Sequence, residues 1–518
     1  MEKAGESTVD SIEWMKQAIQ LCTSFDQNSI QQIGALEKTY HAMSAIEQDK
    51  IMAMFKSFDE TDAIYFLSFL NHFIEDPRLH RLLIELLQGN SLSPWINIMY
   101  EIQLIYAKDE YYREKKQLHQ RNVERIRETL QQKLLPIPIE QRNKKRIVII
   151  TEQMGKLNHA PTRMIVSYVN YLRKMGYEIL VCACPSNMEL TVDQWYGKRS
   201  LFNSIEGIDG EKITLEYEEA KIPYMQVDLL NPSIEKYEKL YSLIYGYNPL
   251  FVWGMGIFNP AIDIVADFTT LVVKNMSNQC PISAGQIILR VQKRNEIMEK
   301  CYEENLNSNQ VQCFIKNHEP ARFKETGHVY CRKDEGLDEN QFILAVVGNR
   351  LDTEVTEEFV DMLKEVMELD AHIAVAFIGE VSVIKKYFED DKLKDRIYYM
   401  GYREDLLATL KMLDMYVNPK RSGGGWSGAM AAVAGMPVLT LPDCDVEYNT
   451  GEKAVVHSYD EMKQQILLCA QSGQYYEEKK NICMKYAERH GEEAYRKYMY
   501  DLIHQIKHQM EEYYHVNI

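Results

Sequence analysis

Long hydrophobic runs and a signal segment are both missing from this sequence of 518 residues. No run of about 18 apolar residues occurs, so we expect no membrane-spanning helix. Residues 1–6 lack the apolar core of a secretory signal, so we expect no secretory leader.

Cysteine pairs at metal-site spacing are also missing. The ten cysteines are scattered, and the closest two, Cys182 and Cys184, lie within an apolar segment. No second pair at zinc-site spacing accompanies them, so we interpret both as buried thiols. Free thiols are typical of a reducing compartment, and the sequence therefore predicts a cytoplasmic protein.

Positive charge is in deficit. The chain has 59 Lys and Arg against 76 Asp and Glu, which gives a net charge of −17. General nucleic-acid binding needs a basic surface, so we expect no nucleic-acid partner, although a local basic cleft stays compatible with this balance. The length predicts about three domains, and the hydrophobic content of 46% is ordinary for globular proteins.

The most informative stretch is residues 418–441, NPKRSGGGWSGAMAAVAGMPVLTL. A short apolar strand at 415–417 precedes it. Three glycines then allow a tight turn, and a helix of small residues is expected to begin near Ser427, whose side chain could cap it. The helix should end at Gly435 before Pro437, so the stretch predicts a strand, a glycine loop, a helix and a second strand.

Such a glycine loop presents backbone N–H groups at a helix N-terminus, where anions bind. Because Lys420 and Arg421 adjoin it, we predict a phosphate or diphosphate there; a merely flexible turn is the alternative. The spacing matches neither the Gly-x4-Gly-Lys-Ser/Thr pattern nor the Gly-x-Gly-x-x-Gly pattern. This argues against an ATPase and against an NAD enzyme at this loop.

Residues 1–140 predict a helical domain. Apolar residues recur at helical spacing, and Asp76-Pro77 and Ser93-Pro94 have the pattern of helix starts. The apolar pattern does not repeat every 34 residues, so we do not expect a helical repeat array. This domain could bind an acceptor or mediate self-association into a homo-oligomer.

Residues 145–335 and 340–455 each alternate apolar strands with helices, which predicts two doubly wound Rossmann-like α/β domains facing a cleft. In the first domain, strands are expected at 147–151, 177–183, 222–227, 249–253 and 271–273. In the second, they are expected at 342–347, 372–378, 397–400, 415–417 and 438–441, with a helix at 354–369. Residues 456–518 are expected to form helices that pack back.

Turn residues follow three strands of the second domain. Gly348-Asn349-Arg350, Gly401-Tyr402-Arg403 and the loop 423–425 all stand at the carboxyl ends of strands. Ligands of doubly wound sheets bind at that edge, so these segments are expected to converge on one ligand.

At this point the sequence resembles the GT-B glycosyltransferases. The resemblance covers about residues 145–455 and is carried by Val347-Gly348-Asn349-Arg350-Leu351, by Tyr399-Met400-Gly401-Tyr402-Arg403 and by the stretch 418–441. It implies metal-independent transfer of a sugar from a nucleotide-diphosphate sugar, most simply a UDP-sugar, to a protein or glycan acceptor, with no cofactor. The donor would contact Asn349, Arg350, Tyr402, Arg403, Lys420, Arg421, Ser422, Gly423, Gly424, Gly425, Trp426 and Ser427.

One departure from the family bears on stereochemistry. Many retaining members carry two glutamates that would fall near Ser422 and at Met430, and neither position is acidic here. The sequence is closer to the O-GlcNAc-transferase-like and bacterial protein-glycosylating members, which invert. An inverting enzyme needs a base for the acceptor hydroxyl, and His159 is the candidate, with Glu152 as the alternative.

Two further residues are candidates for acceptor contact: Arg163, which could instead form a surface ion pair, and Trp253, which ends a predicted strand. Asp443-Cys444-Asp445 has the Asp-x-Asp spacing of a metal site, but it lies beyond the strand that follows the phosphate helix, so we expect no metal there.

Other functions on the same fold stay open at this stage. A non-catalytic GT-B partner subunit would tolerate the missing glutamates, but it would not need the retained cations and glycine loop. A nucleotide-sugar epimerase would not be expected to carry a large helical domain. Phosphorylases of this fold use a lysine that holds pyridoxal phosphate, and we identify no such lysine in the sequence.

Overall fold

The computed structural model describes residues 10–23, 30–103, 112–157, 159–185, 204–217, 220–227, 233–256, 259–274, 280–290, 296–315, 319–321, 326–389, 392–421 and 423–518. The chain divides into two compact units. The first comprises Met1–Ile315 and Ile503–Ile518, and the second comprises Lys316–Leu502. The finer division into four domains stays a prediction.

The first unit begins with helices. Their bounds are α1 (Ser11–Thr23), α2 (Ile30–Ala42), α3 (Ala45–Phe55), α4 (Glu60–Phe73), α5 (Pro77–Leu87), α6 (Pro94–Gln103) and α7 (Tyr112–Thr129). Helices α5 and α6 start where the Asp-Pro and Ser-Pro pairs predict. The Asp76 carboxylate accepts a hydrogen bond from the backbone N–H of Arg78 at 2.7 Å, which caps α5. Helices α1 to α6 enclose a core of their own around Trp14, Tyr40 and Leu67.

An eight-stranded sheet follows in the described part of this unit. Its strands are β1 (Asn143–Thr151), β2 (Glu178–Ala183), β3 (Lys212–Tyr217), β4 (Ala220–Gln226), β5 (Pro249–Met255), β6 (Leu271–Lys274), β7 (Ile287–Arg290) and β8 (Val311–Phe314). The order is β3-β4-β2-β1-β5-β6-β7-β8. Only β3 runs antiparallel, beside β4. Its alternating exposure is that of an edge strand, whereas the last five residues of β1 are all buried, as parallel inner strands require.

Helices α8 (Ala160–Lys174), α9 (Ile234–Tyr247), α10 (Pro260–Asp263) and α11 (Glu296–Asn305) connect these strands. The last helices of the N-terminal region share the hydrophobic core of this sheet. Trp95 of α6 stacks on Tyr237 of α9 with ring centroids 4.1 Å apart, and Val123 and Ile126 of α7 belong to the same core.

A buried charged cluster joins α6, α7 and α10 in this unit. The His119 ring is hydrogen-bonded through Nδ1 to Glu101 and through Nε2 to Asp263, the second at 2.6 Å. The backbone N–H of Ala284 donates to Asp263 at 2.8 Å. Burial alone would lower the pKa of His119, but the two carboxylates outweigh burial and raise that pKa to about 10. His119 is therefore an imidazolium that bridges two buried carboxylates.

The second unit contains a five-stranded parallel sheet in its described residues. Its strands are β9 (Phe342–Val347), β10 (Ile373–Ile378), β11 (Ile397–Gly401), β12 (Met415–Val417) and β13 (Val438–Leu439), in the order β11-β10-β9-β12-β13. Both faces are covered, since Leu344 and Val346 point into one core and Ile343 and Ala345 into another.

The helices of this part are α12 (Leu351–Glu354), α13 (Glu357–Leu369), α14 (Leu406–Leu410), α15 (Gly425–Val433), α16 (Asp445–Thr450), α17 (Tyr459–Gln471), α18 (Gly473–Ala487) and α19 (Glu492–Tyr514). Residues of α19 from Ile503 onward belong to the first unit. Among the helices that the structure describes, none has the length and apolar character needed to cross a bilayer.

The helix expected at about 354–369 is present and begins at Glu357, because Val355 is extended and the Thr356 side chain caps α13 by accepting from the Phe359 N–H. One local prediction was wrong. The glycine-loop helix does not begin near Ser427. It begins at Gly425, with Gly424 as its cap, because glycine adopts the left-handed φ of 88° that this position requires.

Candidate functional site

The site lies where the strand order of the second sheet reverses. From β9 the chain proceeds outward to β10 and β11, and it then returns to the opposite side of β9 to form β12 and β13. In doubly wound sheets, the carboxyl ends of the two strands at such a reversal flank the ligand crevice. Here these strands are β9 and β12, followed by residues 348–350 and by the glycine loop 423–425.

Glycines allow the backbones to approach closely at this edge. A Cβ atom on Gly379 would lie 1.9 Å from the carbonyl oxygen of Gly348, and Gly379 has a φ of 127°. A Cβ atom on Gly348 would lie 2.4 Å from Nη1 of Arg421. Gly379 therefore needs glycine, and a side chain at Gly348 would displace the Arg421 guanidinium.

The glycine loop delivers the N-terminus of α15. The first intrahelical hydrogen bond runs from the Gly428 N–H to the Gly424 carbonyl at 2.9 Å. The N–H groups of Gly425, Trp426 and Ser427 precede it, so they are the amides that a helix N-terminus offers to an anion. The Ser427 hydroxyl donates to the Gly424 carbonyl at 2.9 Å and so fixes the first turn.

Arg350 is the exposed cation beside this loop. Its side chain is 69% exposed, and its Nη2 lies 2.7 Å from a Glu354 carboxylate oxygen. A methyl group added to Gly423 would stand 3.5 Å from the same Nη2, which places the guanidinium next to the loop. Lys420 is also exposed, and its backbone N–H donates to the Tyr459 hydroxyl at 3.1 Å.

Arg421 differs sharply from Arg350, since its side chain is only 3% exposed. Its guanidinium donates to the Glu354 carboxylate at 2.8 Å, to the Val347 carbonyl at 2.6 Å and to the Asn418 side-chain oxygen at 2.8 Å. The hydrogen-bond donors of this guanidinium are therefore used by protein groups near the ends of β9 and β12.

The predicted donor residues after β11 occupy two environments. Tyr402 is 47% exposed. Arg403 is half-buried and donates to the Glu335 carboxylate at 2.5 Å and to the Met400 carbonyl at 3.1 Å. Asn349 is exposed, Trp426 is half-buried, and Ser422 lies outside the described residues.

Sequence reasoning missed two acidic residues that organise the site, Asp352 and Glu354 of α12. The Asp352 carboxylate accepts hydrogen bonds from the backbone N–H groups of Ser382, Val383 and Ile384 at 2.8 to 3.0 Å. It thereby anchors the loop after β10. The spacing of four between Arg350 and Glu354 was a signal for their pairing on a helix.

The first sheet has its own reversal point, between β1 and β5. Glu152 follows β1, and its backbone N–H donates to the Met255 carbonyl at 3.2 Å. Its side chain is buried, and a Cβ atom on Gly256 would lie 2.5 Å from the Glu152 carboxyl carbon. The carboxyl group of Glu152 is thus packed onto Gly256, at the edge where ligands of this sheet would bind.

His159 stands just before α8, and its Nδ1 lies 3.0 Å from the Thr162 hydroxyl. Burial, with a smaller contribution from the positive charge of Arg163, lowers the pKa of His159 to about 4. The imidazole is therefore neutral at pH 7, and it is a weaker base than an ordinary histidine. Arg163 is exposed on the first turn of α8.

Trp253 lies inside the core. Its side chain is 0% exposed and stacks on Tyr168 at 4.7 Å between ring centroids. The side chain packs between the sheet and α8, so the structure gives Trp253 a packing role. The Tyr168 hydroxyl in turn interacts with Lys274, at the carboxyl end of β6. Cys182 and Cys184 are buried thiols, as predicted.

Comparison with solved structures decides the fold. A mutant of the O-GlcNAc transferase from Thermobaculum terrenum superimposes with a TM-score of 0.51 at 11% sequence identity, over 99% of each chain. This chain has the GT-B fold. The match extends over the N-terminal helical region as well as the two Rossmann-like sheets, so the likeness is wider than the motifs at 145–455 suggested.

Two further solved structures are similar over a smaller part of the chain. WaaG, a glycosyltransferase involved in lipopolysaccharide biosynthesis, is 12% identical with a TM-score of 0.46, covering 69% of this chain and 99% of its own. The trehalose-6-phosphate synthase OtsA is 8% identical with a TM-score of 0.48, covering 70% of this chain and 99% of its own. The fold assignment rests on the Thermobaculum terrenum structure alone. No protein-family model and no curated protein matches the sequence.

Proposed function

We propose that this protein is a glycosyltransferase that moves a sugar from a nucleotide-diphosphate sugar to a protein or glycan acceptor. The observation that carries the proposal is the juxtaposition of Arg350 and the glycine loop at the reversal point between β9 and β12. This edge combines an exposed guanidinium with the N-terminal amides of α15, which together suit a diphosphate.

The chemistry follows from where charge develops. As the glycosidic bond breaks, negative charge builds on the leaving diphosphate. The amides of Gly425, Trp426 and Ser427 and the exposed cations Arg350 and Lys420 would stabilise that charge. Removing one such preorganised donor commonly costs on the order of 3 kcal/mol of transition-state stabilisation. In this account the charge on the leaving group is met by protein groups, so transfer proceeds without a metal.

On the acceptor side, the unprotonated imidazole of His159 accepts the proton of the acceptor hydroxyl as a weak base, because burial and Arg163 hold its pKa below the ordinary value. The Glu152 carboxylate is the alternative base. We further propose a UDP-sugar as donor and inversion at the anomeric carbon. Met430, half-buried in α15, stands where many retaining members carry a glutamate. This difference favours inversion over retention.

A thermal-shift screen with UDP, GDP, CDP and ADP and their common sugars tests the proposal. A ligand that binds only the folded chain raises its unfolding temperature by mass action. We expect one nucleotide to stabilise the protein and its sugar to be released slowly when no acceptor is present. Stabilisation without any release or transfer would instead favour a non-catalytic partner subunit, and no stabilisation by any nucleotide would contradict the proposal.

A further inference from the structure

Two cations of the proposed donor site, Arg350 and Arg421, share one carboxylate. Glu354 binds Arg350 through Oε1 at 2.7 Å and Arg421 through Oε2 at 2.8 Å. The two arginines nevertheless differ in exposure, at 69% and 3% of their side chains. The sequence predicts the same role, contact with the phosphates of the donor, for both Arg350 and Arg421.

The hydrogen-bonding capacity of Arg421 is almost fully used by the protein. A guanidinium has five N–H donors. Four of them are directed at the Asn418 side chain, the Glu354 carboxylate, the Val347 carbonyl and the Tyr416 hydroxyl, at 2.6 to 3.3 Å. Its Nη1 also lies against Gly348, where an added Cβ would be 2.4 Å away. Little donor capacity is left for a ligand.

The hydrogen-bond partners of Arg421 come from the end of β9, from α12 and from β12 with the turn that follows it. Val347 ends β9, Glu354 ends α12, and Tyr416 and Asn418 belong to β12 and the turn after it. A Cβ atom on Gly424 would lie 2.5 Å from Nη2 of Arg421 and 3.0 Å from the Asn418 side-chain oxygen. The cap of α15 therefore rests directly on the guanidinium.

Resting on the proposed function, we infer that Arg421 is a positioning residue: with Glu354 and Asn418 it holds the glycine loop against the end of β9, while Arg350 supplies the charge that meets the diphosphate. The role of Arg421 depends on the planar fork of its guanidinium. A lysine has the same charge but cannot reach partners on three sides at once. Arg350 is exposed and contributes its charge, so a lysine at that position keeps the charge and should cost less than a lysine in place of Arg421.

Paired arginine-to-lysine variants test this division of roles, with UDP as the probe and isothermal titration calorimetry as the measurement. We expect Arg421→Lys to weaken UDP binding by about tenfold or more, which corresponds to about 1.4 kcal/mol, and Arg350→Lys to weaken it by a clearly smaller factor. Binding by Arg421→Lys that equals binding by Arg350→Lys would overturn the inference.

The salt dependence of UDP affinity separates positioning from direct contact, because salt screens exposed charges. Arg350→Ala should flatten the fall of affinity with ionic strength. Asn418→Ala removes one partner of Arg421 without removing a charge, so it should weaken UDP binding while the salt slope stays unchanged. This milder variant also serves if Arg421→Lys does not fold. A salt slope flattened by Arg421→Ala as strongly as by Arg350→Ala would contradict the positioning role.

Trp426, at the start of α15, reports on the loop without any ligand. The emission difference between each protein and its Trp426→Phe counterpart isolates this side chain. We expect Arg421→Lys to shift that emission and Arg350→Lys to leave it in place; an unshifted emission in Arg421→Lys would overturn the inference. A shifted emission in a protein that binds no nucleotide would support the positioning role while the proposed function fails.

Discussion

The Glu354 carboxylate and the Arg421 guanidinium, 2.8 Å apart, connect the segment after β9 to the loop after β12. This pair is nearly buried, and a buried ion pair is stable only when hydrogen bonds satisfy its remaining donors and acceptors. Here Asn418 and the Val347 carbonyl do so on one side, and Arg350 does so on the other. The pair therefore fixes the geometry of the reversal point.

Gly424 and Gly423 are adjacent, but we predict that an alanine destabilises the protein at Gly424 and has little effect on stability at Gly423. Gly424 has a φ of 88°, and its Cβ would lie 2.5 Å from Arg421, so Gly424→Ala is both strained and displaces the guanidinium. A left-handed non-glycine residue alone costs about 1–2 kcal/mol. Gly423 has its nearest neighbours at 3.5 Å, which is ordinary contact. Urea unfolding should show a loss of at least about 1 kcal/mol for Gly424→Ala. An equal effect of both variants would contradict the geometry.

His119 should be essential to the first unit. Removing the imidazolium in His119→Ala leaves Glu101 and Asp263 as buried carboxylates, and breaking a buried pair in this way costs about 3–5 kcal/mol. His508→Ala, at an exposed histidine near Glu512, is the control and should change the free energy of unfolding by less than about 0.5 kcal/mol.

The pH dependence of this effect has a defined sign. The pKa of His119 is raised in the folded protein to about 10, above the ordinary value of about 6.5. The stabilisation is therefore fully present below pH 6.5 and is lost as the pH rises toward 10. The difference in unfolding free energy between the unmodified protein and His119→Ala should shrink across that range; a constant difference would rule out the imidazolium bridge.

His159 predicts the shape of the pH–rate profile. Because burial and then Arg163 lower the pKa of His159 to about 4, its imidazole is unprotonated throughout the neutral range. If it is the general base, kcat/KM for sugar transfer should be flat between pH 5.5 and 8 and fall only near pH 4, whereas an ordinary histidine would give a fall near about 6.5.

Arg163→Ala removes one cause of that lowered pKa, so kcat/KM should begin to fall at a higher pH than in the unmodified protein. His159→Ala should reduce the rate by about 10²–10⁴-fold. A profile that falls near pH 6.5 in the unmodified protein would contradict the lowered pKa of His159, and a rate unchanged in His159→Ala would exclude His159 as the base.

A substitution at Gly256 tests whether the position of the Glu152 side chain matters for sugar transfer. A Cβ atom on Gly256 would lie 2.5 Å from the Glu152 carboxyl carbon, so Gly256→Ala must push that side chain away. Because the displaced atoms are the far end of the Glu152 side chain, the loss of stability should be small. If Glu152 serves the acceptor, the rate of transfer should fall as well. Gly246→Ala is the matched control, because that glycine lies in α9 with nothing within 4 Å. We expect this control to stabilise the protein slightly through helix propensity.

Strand positions were largely predictable because buried parallel strands are continuous apolar runs. Residues 342–347 and 415–417 form strands with the predicted bounds. Strands β3, β7 and β8 were missed. β3 is a polar, exposed edge strand, and β8 has only one buried residue among its four, so neither forms a continuous apolar run.

The site was less predictable than the fold. The glycine loop, Arg350 and the sheet edge followed from the sequence, because glycine triplets and strand ends are local signals. The different burial of Arg350 and Arg421 did not, since it depends on Glu354 and Val347, which are distant from Arg421 in the chain. The packing of Trp253 against Tyr168 is likewise a tertiary property of the first sheet.

The central claim is that the reversal point between β9 and β12 binds a nucleotide diphosphate through Arg350. Calorimetric titration of UDP into the unmodified protein, Arg350→Ala and Arg496→Ala tests it most directly. Arg496 is the matched control, because it is an equally exposed arginine paired with a glutamate of its own helix. We expect binding that is unchanged in Arg496→Ala and weakened by about tenfold or more in Arg350→Ala. Equal binding by all three proteins would contradict the account.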